Sequence, residues 1–158
     1  MNRNSFALCL AIVTGVVACT NTTGSEARLI GDWVKRENLS PSGYYTTQLS
    51  FAEDGTFTDA VRDFGCYPGQ SRDDPCAYTI MSGTYTIEGD QLRMNVSRIA
   101  TWDRGFNGPG SPEVVRNVNS TVFDSSHFRI AGLLLTLDYL SFPADAAVAT
   151  TATFVRVL

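Results

Sequence analysis

The chain has 158 residues, 44% hydrophobic and 18% charged, a length that suits one domain able to bury its own core. Its 12 Lys and Arg face 16 Asp and Glu, the net charge is −4, and Lys35 is the one lysine. The signs alternate without forming a basic stripe, which excludes nucleic-acid binding, a chemistry that rests on clustered Lys and Arg.

Arg3 precedes an apolar run from Phe6 to Val17, broken only by Thr14 and Gly15. A permanent bilayer helix needs about 20 apolar residues, so this run has the form of a signal-peptide core. Residues 1–18 are therefore expected to be an export leader, and Cys9 leaves with it. The run ends in Val16-Val17-Ala18-Cys19, which resembles the lipobox of bacterial lipoproteins. The resemblance implies acylation of Cys19 as the new N-terminus and membrane attachment by more than one acyl chain, enough for stable anchoring. Thr20 rather than Asp follows. In that family this implies the outer membrane, with the domain in the periplasm or at the cell surface. Residues 19–27 are small and polar and are expected to form a lipidated tether; residues 28–158 form the domain.

Beyond residue 28 the apolar residues recur with period two, the period of a half-buried strand. Tyr45, Thr47, Leu49 and Phe51 share a face. Glu53-Asp54-Gly55 supplies a hairpin turn before Phe57, with glycine where a tight turn needs positive φ. Cys66 and Cys76 follow, with nine residues between them. In an exported domain they are expected to form a disulfide; a thiolate metal site would need a second Cys or His pair. Met81, Gly83, Tyr85 and Ile87 make the next row, and Glu88-Gly89-Asp90 turns into Leu92, Met94 and Val96. The segment Trp102 to Pro112 is a long loop with two aromatics. Val114, Val118 and Val122 form a further row. Ala131-Gly132 turns between Phe128-Arg129-Ile130 and the row Leu133, Leu135, Leu137 and Tyr139. A short helix is expected after Pro143. About nine strands result, all-β and antiparallel. Closing them into an up-and-down barrel of about eight or nine strands removes exposed sheet edges.

Three segments carry a family resemblance: Leu29-Ile30-Gly31-Asp32-Trp33, the hairpin Leu49 to Phe57, and Gly83 to Leu92, with Thr153-Phe154-Val155-Arg156 at the end. Together they resemble the lipocalin-like domains of bacterial lipoproteins. The resemblance implies that Trp33 closes one barrel end against Arg156, a structural pair. The insertion holding Cys66 and Cys76 departs from the short hairpin of that pattern.

Few residues suggest chemistry. His127, the one histidine, follows Asp124, Ser125 and Ser126, but neighbours on a strand point to opposite faces and cannot assemble a triad among themselves. No Gly-x-Ser-x-Gly elbow is present. Glu53-Asp54 and Asp73-Asp74 fall in turns, where Asp is favoured for local hydrogen bonds. With Asp63 they do not give calcium-loop spacing. No metal site, no cofactor and no enzymatic activity are expected.

Arg116 lies on the face of Val114 and Val118. If that face looks inward, its charge needs a ligand anion, an internal partner such as Asp59 or Glu37, or a place at the rim. Trp102 and Phe106 are expected near the barrel mouth. The leading expectation is a membrane-anchored module binding a small apolar or amphipathic ligand through Arg116, Trp102 and Phe106. The alternative is a protein-binding envelope lipoprotein, an assembly accessory or enzyme inhibitor, with a barrel filled by side chains.

Overall fold

A computed structural model describes residues 28–39, 43–66, 74–105, 110–143 and 146–158. The expected leader, Cys19 and the tether lie outside the described residues, as does Phe106. Eight strands follow in order: β1 (Gly31–Leu39), β2 (Gly43–Phe51), β3 (Thr56–Phe64), β4 (Pro75–Glu88), β5 (Gln91–Asp103), β6 (Val114–Ala131), β7 (Leu134–Ser141) and β8 (Val148–Arg156). Each pairs antiparallel with the next, and β8 returns to β1 to close the barrel.

The count is eight because β6 is continuous over 18 residues. The polar run Asp124-Ser125-Ser126 suggests a break between two strands. Instead it is absorbed as a bulge, with Phe123 at φ 52° and Ser125 at φ 53°. The two flanking rows thus belong to one bent strand. The short helix expected after Pro143 falls in part on residues 144–145, outside the described residues. Ser141 ends β7, Val148 opens β8, and between them Pro143 takes 3-10 geometry, its carbonyl accepting the Ala146 N–H at 3.3 Å.

The barrel has two unlike ends. At the base the connections are tight: Ala52–Gly55, Gly89–Asp90 and Gly132–Leu133, with Gly55, Gly89 and Gly132 all at positive φ. The alternating apolar rows converge there into one buried cluster. It is built on Trp33, Leu49, Phe57, Met94, Leu137 and Phe154 with their neighbours. Leu29 plugs the base below them and is fully buried. The opposite end, the mouth, receives the short β1–β2 connection and the longer ones from β3 to β4, β5 to β6 and β7 to β8.

The wall is also less continuous toward the mouth. β6 pairs with β7 only from His127 to Ala131, although it pairs with β5 back to Val114. β8 meets β1 at only Trp33–Arg156 and Val34–Val155. The β7–β8 hairpin is therefore held by both neighbouring strands near the base. Toward the mouth its backbone ladder is its own.

Candidate functional site

The strand register fixes which side chains look into the barrel. One row runs Trp33, Leu49, Asp59, Met81, Ile99, Arg116 across β1 to β6. Below it lies the apolar base. The next row toward the mouth runs Thr47, Val61, Thr79, Thr101, Val114, and the one above it Tyr45, Asp63, Ala77, Asp103. The interior thus changes from apolar to polar partway up. A recess of about 330 Å³ opens at the rim of this upper part, lined by the inward-facing Val61, Asp63, Thr79, Thr101, Asp103 and Val114, with Tyr78 and Trp102 at its outer edge. That is the low end of the range for small-molecule sites, roughly 300–1,000 Å³.

Asp59 stands at the boundary. It is 2% exposed, and its Oδ1 has no hydrogen-bond partner. Its cross-strand neighbours, Leu49 and Met81, are apolar. Burial alone pushes its carboxyl up to about 7, since a charge loses its water there without gaining a partner. Phe57, Asp59 and Val61 alternate along β3, which puts Asp59 on the inward face. The sequence offered it only as a possible internal partner of Arg116, not as an unpaired buried carboxyl.

Arg116 is in the inward-facing row but is exposed, because the ladder between β6 and β7 has already parted at its level. Neither internal partner meets it: Glu37 pairs with Lys35, and Asp59 Oδ1 has no hydrogen-bond partner among the described residues. Arg116 therefore takes the rim position. Trp102 is at the mouth but on the outer face. Its ring stacks on Tyr78 at 5.5 Å, and Arg104 lies 5.9 Å from its centroid. Tyr78 donates to Glu113 Oε2 at 2.6 Å, and that bond to a carboxylate holds the phenol above its ordinary pKa. A second outer stack lies nearby: Tyr44 on Phe64 at 4.7 Å, with Arg36 3.7 Å above Tyr44. Trp102 also borders the recess at the mouth, whereas Arg116 is not among the residues that line it.

The pair Trp33 and Arg156 closes the base. The guanidinium lies 5.1 Å from the indole centroid. Arg156 also donates to the carbonyls of Ile30 at 2.6 Å and Arg28 at 3.2 Å, and Trp33 Nε1 donates to the Leu29 carbonyl at 2.8 Å. Gly31, at φ +122°, lets the chain pass, since a Cβ there would stand 3.1 Å from Arg156 Nη2. The contact fastens the start of the domain to its end. Cys66 and Cys76 are joined by a disulfide at the mouth, with Cα atoms 6.1 Å apart.

His127 lines a separate recess beside the β6 bulge, together with Asp124, Ser125 and Ser126. The Ser126 hydroxyl is already donated to the Leu92 carbonyl at 2.6 Å, and His127 Nδ1 lies 3.3 Å from exposed Asp90. Among the described residues no serine hydroxyl bonds to the imidazole, and no cluster of His, Cys, Asp and Glu has the makings of a metal site. No protein-family profile matches the chain, and no curated protein matches it.

Proposed function

We propose that this protein is a membrane-anchored, lipocalin-like lipoprotein that holds a small amphipathic molecule at the open end of its barrel. The observation that carries the reading is the recess at the mouth, seated on a base packed solid with aromatic and aliphatic side chains. Such a site takes a short ligand with its polar part among Thr79, Thr101 and the carboxylates and its apolar part against Val61 and Val114. A long acyl chain would need the space that Trp33, Phe57 and Phe154 fill.

The lipobox-like segment around Cys19 supports the anchor. The domain begins at the base, where Arg28 donates to the Ile130 carbonyl. The alternative, a protein-binding envelope lipoprotein, draws support from the aromatic stacks on the outer face at the same end.

Native mass spectrometry of the full lipidated protein, purified in mild detergent, tests both parts. The expected result is a triacyl mass on Cys19 and displacement of a bound environment-sensitive fluorescent amphiphile by short-chain amphiphiles. An unacylated chain beginning at Met1 overturns the anchor. Failure of any amphiphile to bind overturns the site and leaves the protein-binding reading.

A further inference from the structure

We propose that the molecule held at the mouth is a small amphipathic amine, its ammonium entering first and pairing with the Asp59 carboxylate beneath the recess. This deepens the reading of the mouth as a ligand site and rests on it.

Asp59 is buried among apolar residues, and no partner meets its Oδ1. A lone buried carboxyl costs stability that an apolar side chain in the same place would not. Asp59 lies two residues below Val61 on the inward face of β3; Val61 lines the recess, and Asp59 stands beneath that lining rather than in it. A donor that passes Val61 from the recess would satisfy the orphaned oxygen. An ammonium does so with charge as well as hydrogen bonds.

The surroundings favour a cation. On β3 and β5 the inward-facing charges above Asp59 are Asp63 and Asp103, and on β4 the inward residues Ala77, Thr79 and Met81 are neutral. β1 contributes Lys35 and Glu37, whose charges pair with each other. β2 contributes Tyr45 and β7 Tyr139, β8 presents Thr150, and β6 brings Arg116 at the exposed rim. An anion would approach two carboxylates to reach a third. Arg116, the anchor a carboxylate or phosphate ligand would need, lies across the Met81 and Ile99 positions from Asp59.

Three probes of equal size separate the possibilities: hexylamine, hexanol and hexanoate, titrated calorimetrically into the full protein. Hexylamine is expected to bind at least about tenfold tighter than hexanol above neutral pH, the gain typical of a charge-assisted bond, with hexanoate weakest. Asp59→Asn is expected to erase the preference, and Arg116→Gln to leave it. A second readout needs no variant. At about pH 6 the isolated Asp59 holds a proton, so ammonium binding is expected to release close to one proton, read as a dependence on buffer ionisation enthalpy. If the probes bind alike, if the preference survives Asp59→Asn, or if no proton is released, the assignment to Asp59 is wrong while the mouth remains a site. If none of the three binds, the mouth is not a ligand site and both readings fall.

Discussion

Asp59 makes the stability of this protein depend on pH in an unusual direction. Its carboxyl titrates near 3.8 when unfolded and is raised to about 7 by burial. Between those values the folded chain keeps a proton that the unfolded chain gives up. The contribution is thus fully present below the unfolded value and is lost as pH rises through about 7. The loss is on the order of 4 kcal/mol for a group this deeply desolvated. Asp59→Asn is expected to flatten the fall in stability between about pH 4 and pH 8, measured by urea unfolding at each pH. An unchanged slope would mean that Asp59 is ionised and solvated in the folded chain. Gly83 is a second residue whose identity is dictated by its place. A Cβ there would lie 1.9 Å from the Asn95 carbonyl oxygen, and the β4–β5 register shifts between Ser82 and Gly83. Gly83→Ala is expected to cost at least about 2 kcal/mol in unfolding free energy, the scale of forced overpacking. A variant with wild-type stability would show that the strands have room to part.

Among the elements, those with strict alternation were the most legible. The rows on β2, β4 and β5 lie inward as their period requires, and the three Gly-containing turns fall where glycine at positive φ was anticipated. β6 was harder to see. Its polar segment at 124–127 carries no apolar period, because a bulge lets successive residues leave the ladder. Continuity there depends on β5 across the seam, which no local pattern encodes. Arg116 misled for a related reason. Its parity is inward, but whether an inward position is buried depends on how far β7 follows β6. The disulfide, by contrast, was plain from two cysteines in an expected exported domain. It closes a short loop at the mouth, remote from the core at the base. Reduction is therefore expected to lower stability by roughly 2–3 kcal/mol, the loop-closure term, and to leave the far-UV β signal intact. Loss of that signal in reductant would show that the crosslink holds the barrel itself.

Across the whole molecule, the large apolar side chains gather toward one end. The base concentrates the large apolar side chains, and the Trp33–Arg156 contact ties both ends of the domain to it. Trp33→Ala is expected to cost about 3–5 kcal/mol, as for a large buried aromatic, read as a drop in unfolding midpoint. The mouth contributes little to that core and is free to carry polar residues that a filled barrel would exclude. The barrel class was legible because periodicity and turn chemistry agree over most of the chain. Of the site only Trp102 was legible, because the other lining residues come from β3 to β6 and meet only when those strands pair in register.

A receptor for something small at this end of the barrel must respond to ligand on its inward rows, which amide chemical-shift mapping reads during titration with a short-chain amphiphile. Saturable shifts are expected at Val61, Thr79, Thr101 and Asp103, with Trp33, Leu137 and Phe154 unmoved. Shifts confined to the outer Tyr44 and Phe64 surface, or none on the inward rows at millimolar ligand, would contradict a ligand site there.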